Sequence, residues 1–127
     1  MSTSQFLEEI SDIERNTDFI KANIGRIQEL QKQILGSTSE DQESTYENER
    51  NSLMTNTKDL LFRTKDRIKR IEYENIRLPP TDPNLILRKQ RHEFLREKFT
   101  NILKEYRAAE DAYMKQQKER MGRQYRV

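Results

Sequence analysis

The stretch LILRKQRHEFLREKFTNILKEYRAAEDAY, residues 85–113, sets Leu95, Phe99, Ile102, Tyr106, Ala109 and Tyr113 at alternating spacings of four and three. Side chains at those intervals stack into one stripe along an α-helix, and the residues between them are nearly all charged or polar. Such a stripe has to be covered by other helices. The stretch therefore reads as one seam of a helical bundle, with His92 and Leu85 extending it upstream and Gln116 and Arg120 marking where it fades.

Working outward, Asp82-Pro83 starts this helix, with aspartate as N-cap and proline at the first helical position. Just before it, Leu78-Pro79-Pro80 ends a preceding helix, because a residue before proline is pushed out of helical geometry and proline has no amide donor. That second segment carries a seam of Tyr46, Leu53, Thr57, Leu60, Thr64, Ile71 and Asn75. The first segment carries Phe6, Ile10, Ile13, Thr17, Ile20, Ile24, Ile27, Gln31 and Ile34, roughly 45 Å of helix. Gly36 stops it, as a left-handed cap, and the polar run Ser37–Ser44 offers Ser39 and Ser44 as capping hydroxyls. The expected fold is all-α: one domain over 1–127, an antiparallel up-down-up three-helix bundle with left-handed coiled-coil-like packing. Its helices run over about 3–35, 40–76 and 83–121.

Composition agrees. Hydrophobic residues make up 32% of the 127 and charged residues 36%, yet 24 basic side chains nearly cancel 22 acidic ones. Disorder favours a large net charge, whereas two or three apolar positions in seven suit long packed helices. There is no cysteine, which removes disulfides, thiolate metal sites and cysteine nucleophiles. Aliphatic or aromatic runs such as Leu60–Phe62 fall far short of the roughly 20 residues that span a bilayer. Met1–Gln5 does not resemble a signal peptide, so the chain reads as cytoplasmic.

Catalytic constellations are missing as well. One histidine, His92, leaves neither a paired-histidine metal motif nor an easy triad, and its place in the seam frame makes it a packing residue. Gly25, Gly36 and Gly122 stand too far apart to cradle a phosphate. Pairs such as Glu8-Glu9 and Glu110-Asp111 fall on outer faces, as solvated charge. The reading is of a chain that is not an enzyme and has no cofactor or metal.

Two surpluses remain. The first is electrical: residues 1–50 hold five basic against eleven acidic groups, residues 51–127 nineteen against eleven. Interleaved acids such as Glu93, Glu97 and Glu105 make the basic third helix a solvated face with local ion pairs, not a nucleic-acid or lipid surface. The second is apolar: Met54, Leu61 and Ile68 flank the second seam, and Phe94 and Leu103 flank the third on its two sides. A broad core stripe explains such a row, and so does a shallow groove open to a fourth amphipathic helix. Phe62, opposite its seam, is a candidate contact residue or an isolated exposed ring.

The ordered combination Asn84-Leu85, Leu87-Arg88-Lys89, His92, Leu95, Lys98-Phe99, Glu105-Tyr106, Ala108 and Tyr113, with Arg123-Gln124 beyond, resembles the third helix of the syntaxin N-terminal (Habc) domain. Phe6-Leu7-Glu8 through Ile10 and Ile20 to Ile34-Leu35-Gly36-Ser37 resembles its first helix, and the similarity is to the plasma-membrane, neuronal-type members. That resemblance implies the regulatory module of a target-membrane SNARE. In that family the module folds back on the chain's own SNARE helix in a groove between the second and third helices, and it docks a Sec/Munc-family regulator. The full-length parent meets other SNARE proteins in vesicle fusion and exocytosis. On this reading Met54, Leu61, Phe62, Ile68, Phe94 and Leu103 are the partner-binding residues. The sequence carries no SNARE heptads or anchor after Val127 and no short peptide before Phe6, which reads as trimming of a tail-anchored parent at both ends. Membrane contact is then expected only through that anchor, at the cytoplasmic face of the plasma membrane. The alternative is a structural coiled-coil protein whose seams pair between chains.

Overall fold

Ser2 opens the first helix. Its hydroxyl accepts from the Gln5 amide at 3.1 Å and the Gln5 side chain accepts from the Ser2 amide at 2.9 Å, so two otherwise orphaned donors are satisfied reciprocally. The computed structural model describes residues 1–124, with side chains up to residue 122. Helix α1 spans Thr3–Gly36, α2 Glu40–Ile76 and α3 Leu85–Gln124.

Both connections depart locally from the sequence expectation. Gly36 is the last residue of α1 and Ser37 follows in extended geometry; no described residue has a positive φ. The left-handed cap is thus absent, and the Ser37 amide closes the helix by donating to the Ile34 carbonyl at 3.3 Å. Ser39 caps α2 by accepting from Gln42 at 3.4 Å, and Glu40, Asp41 and Glu43 lie at its positive end. Ser44 is already inside the helix. At the second connection Asp82 is not the N-cap of α3. Its carboxylate accepts from the Asn84 amide at 2.8 Å, a turn across Pro83, so helical bonding begins only with Arg88 donating to the Asn84 carbonyl at 2.9 Å. The helix therefore starts at Leu85 and not at 83.

Cross-links fix the directions. Arg67 of α2 grips Glu9 near the start of α1, and Arg26 reaches Glu49, so these helices are antiparallel. Asn84 donates to the Thr3 hydroxyl, Lys98 to Asp18 and Gln31 to the Ala109 carbonyl, which makes α1 and α3 parallel. Arg120 forks onto Glu43 at 2.6 and 3.2 Å, pinning late α3 to the start of α2. The seams thus close on one another within one chain.

All nine expected seam residues of α1 are buried, with Leu30 added. On α3, Leu95, Phe99, Ile102, Tyr106 and Ala109 are buried as expected, together with Arg88 and His92. On α2, Thr57, Thr64, Ile71 and Asn75 are buried as expected, and the face widens onto the flanking row. Leu53 and Leu60 are half-buried, whereas Leu61 and Ile68, 4% and 5% exposed, belong to the core beside Ile71. Two neighbouring helices press on α2, so its buried arc is wider than one four-three row. Each buried isoleucine or leucine contributes roughly 1.5–3 kcal/mol.

The Arg67–Glu9 pair gives the fold a pH dependence. Its bidentate bonds are 2.8 and 2.9 Å long and both side chains are about three-quarters covered. The hydrogen bond from Arg67 holds the Glu9 carboxyl below its ordinary value, against an opposing push from burial. Because the folded carboxyl titrates below the unfolded one, the pair's contribution is complete above the unfolded value and is lost as pH falls through the folded one. Denaturant melts of the wild type and Glu9→Gln should differ by about 1 kcal/mol at pH 7, and the gap should close as pH falls through the lowered value of the folded carboxyl. A gap that does not narrow as the folded state is acidified would contradict this account.

Candidate partner-binding groove

Between α2 and α3 the three-helix packing leaves a furrow, because α1 fills the trough on the opposite side only. Its central cavity, about 260 Å³, is lined by Lys58, Leu61, Phe62 and Lys65 from α2 and by Phe99, Leu103, Tyr106, Arg107 and Glu110 from α3. The α2 residues recur at helical spacing, as do the α3 residues, so each row is one face of its helix. Leu61 and Phe99 form a nearly closed apolar floor. Phe62, 58% exposed, stands on one rim and half-buried Leu103 on the other. Tyr106 fixes one end: its hydroxyl donates to the Met54 carbonyl at 3.3 Å, and burial raises its pKa so that it stays a neutral donor. Three cations, Lys58, Lys65 and Arg107, border the furrow against one anion, Glu110.

Of the six residues singled out in the sequence, Leu61, Phe62 and Leu103 come together here. Met54 is half-buried against the core next to Tyr106, and Ile68 lies within the core. Phe94 is 53% exposed and contributes nothing to this lining. Hydrophobicity alone missed Lys58, Lys65, Arg107 and Glu110. They stand three, four or seven residues from Leu61 and Leu103, a spacing that was readable.

Toward the α2–α3 connection the furrow continues into a second, polar cavity of about 440 Å³, lined by Glu72, Asn75, Ile76, Lys89, His92, Glu93 and Arg96. The His92 Nε2 atom faces the Glu72 carboxylate at 3.9 Å. No cluster of potential metal ligands occurs among the described residues, and no described helix is long and apolar enough to cross a membrane.

The family model for syntaxin matches this chain over residues 1–127. The chain belongs to the syntaxin family. Members of this family are structural and regulatory proteins, not enzymes. Among curated proteins, the syntaxin domain is 27% identical over 122 residues to protein SSO1 of Saccharomyces cerevisiae, covering 96% of this chain and 40% of that protein. It is 28% identical over 127 residues to syntaxin-like protein psy1 of Schizosaccharomyces pombe, covering all of this chain and 44% of the other. The chain thus spans less than half the length of either relative. Its fold matches a chain in the crystal structure of the Unc18–syntaxin 1 complex from Monosiga brevicollis. That match has a TM-score of 0.88 at 21% identity, over 100% of this chain and 61% of that one.

Proposed function

We propose that this syntaxin domain is the regulatory module of a target-membrane SNARE and that the α2–α3 furrow receives the SNARE helix of its own parent chain. The observation that carries the reading is the furrow itself: an apolar floor of Leu61 and Phe99 between raised apolar rims at Phe62 and Leu103, flanked by charge. An amphipathic helix laid there covers the exposed ring of Phe62 and the flank of Leu103, and its own charged face remains in water. While the helix is docked it is withheld from fusion complexes; on release it can assemble with other SNARE proteins. A Sec/Munc-family regulator is the second partner, supported by the shared fold with a chain of an Unc18–syntaxin complex. On this reading the parent works at the cytoplasmic face of the plasma membrane, held by a tail anchor, a location supported by the syntaxin relatives of which this chain spans less than half.

Tethering sets the affinity needed. A flexible link presents the helix at an effective concentration of about 1 mM, so a separate-chain Kd near 0.1 mM already gives about tenfold closure. Titration of the domain with a syntaxin SNARE helix should therefore show weak, saturable binding. Phe62→Asp and Leu103→Asp should each weaken it at least tenfold, and Phe94→Asp, off the furrow, should leave it within twofold. No binding at millimolar helix, or binding indifferent to both furrow variants, would remove this reading.

A further inference from the structure

The polar cavity at the end of the furrow contains an unusual pair of atoms. Asn75 is 4% and His92 9% exposed, and both line the cavity. Asn75 donates through Nδ2 to the Arg88 carbonyl at 3.1 Å, which turns its Oδ1 the other way, where it has no partner among the described residues. His92 Nε2 is likewise sealed from bulk water and unpartnered, with the Glu72 carboxylate beyond hydrogen-bond reach. Buried polar atoms left unpaired carry a cost, so a group that supplied the missing bonds would be drawn in. Glu72, whose side chain is 57% exposed, is free to swing and admit it.

The atoms specify the chemistry of that group. Asn75 Oδ1 needs a donor, and the Glu72 carboxylate, 3.9 Å from Nε2, is a further acceptor at the cavity mouth. His92 Nε2 needs an acceptor in one imidazole tautomer and a donor in the other. The cavity's charges balance, with Glu72 and Glu93 against Lys89 and Arg96, and Arg96 is already held by Glu93. A carboxylate would meet Asn75 Oδ1 and Glu72 as like acceptors. A guanidinium or ammonium would meet Lys89 and Arg96 and offers no acceptor to an Nε2–H, and a hydroxyl, with one donor, cannot serve both Asn75 Oδ1 and an unprotonated Nε2. A primary carboxamide brings two donors and an acceptor with no net charge.

We infer that this cavity is a socket for the carboxamide of an asparagine or glutamine on the helix docked in the furrow, fixing that helix's register; the inference rests on the docking proposed above. Leu61 to Asn75 is 14 residues along α2 and Leu103 to His92 is 11 along α3. The amide therefore lies about 16–21 Å along the docked helix from the residues seated on Leu103 and Leu61. Without such a contact the apolar floor would tolerate a helix slipped by a turn.

The test replaces each asparagine of a syntaxin SNARE helix by leucine and each glutamine by methionine, one at a time, and titrates the peptides into the wild-type domain, Asn75→Leu and Glu72→Ala. One substitution, 11–14 residues from the apolar contacts, should weaken binding to the wild type about tenfold and binding to either variant less than twofold. In parallel, acetamide should move the Asn75 side-chain and His92 imidazole nitrogen resonances saturably, and N,N-dimethylacetamide, which has no donor, should not. A helix that binds but tolerates every amide replacement within twofold overturns the socket and leaves the docking intact. If no helix binds, docking fails and the acetamide shifts decide the socket alone.

Discussion

Phe99→Ala is expected to lower the unfolding free energy by about 3–5 kcal/mol, a fifth or more of the roughly 5–15 kcal/mol of a typical domain. Phe99 is 8% exposed in the central core cluster, one helical turn from Leu95, and its ring also forms part of the furrow's floor. Truncation removes the transfer energy of the ring and leaves a void that rigid neighbouring helices fill only partly. The loss is read by urea denaturation, as a lower midpoint at unchanged slope. The same variant should also weaken SNARE-helix binding, because the void opens beneath the docking surface. An unchanged midpoint would mean that the α3 seam is misplaced.

Arg50→Ala is expected to cost about 2–4 kcal/mol, whereas Arg50→Met should stay within about 1 kcal/mol of the wild type. Arg50 is 7% exposed, and no carboxylate forms an ion pair with it among the described residues. Its Nε donates to Gln31 Oε1 and its Nη1 to Asn51 Oδ1, both at 3.1 Å, and the guanidinium stacks 3.6 Å from the centre of the Tyr113 ring. Gln31 in turn donates to the Ala109 carbonyl, so one polar layer ties all three helices. Burial depresses the Arg50 pKa, and the facing Tyr113 and Glu110 offset only part of that. Alanine leaves Gln31 half-satisfied beside an empty slot. Methionine keeps the stem's volume against Tyr113 and removes a desolvated charge, which compensates for the lost bonds. Equal losses for the two variants in denaturant melts would show that the hydrogen bonds outweigh volume and desolvation.

The seams were legible because an apolar residue every three or four positions survives any detail of packing. All of α1 and the middle of α3 follow directly from that spacing. The burial of Arg50 and Arg88 was not read from the sequence, although both fall in frame, Arg50 between Tyr46 and Leu53 and Arg88 between Leu85 and His92. A reading by hydrophobicity alone passes over them, since it assigns charge to the surface, and only cross-helix partners such as Gln31 or the Met1 carbonyl make their burial possible. The broad core stripe offered for Leu61 and Ile68 is what the structure shows, but its balance against Leu60 was not legible. Leu60 and Leu61 are adjacent and equally apolar, and the geometry of two neighbouring helices decides which one turns inward. The same holds for the groove: Leu61, Phe62 and Leu103 were each singled out in the sequence, but the gap between helices that brings them to one cavity is a property of the packing. Asp82-Pro83 misled because an aspartate two residues before an asparagine satisfies a local turn as readily as a helix start.

The order of the helices along the chain also has a consequence for synthesis. At roughly 5–20 residues per second, the 40 residues of α3 take about 2–8 s to be added, far longer than a helical hairpin needs to form. An α1–α2 hairpin formed in that interval would have its third side bare, a trough awaiting its cover. Gln31, Arg50, Thr57 and Thr64 interrupt that trough with groups able to bind water. The side chains that look like imperfections in the finished core thus break up the sticky surface of the nascent one.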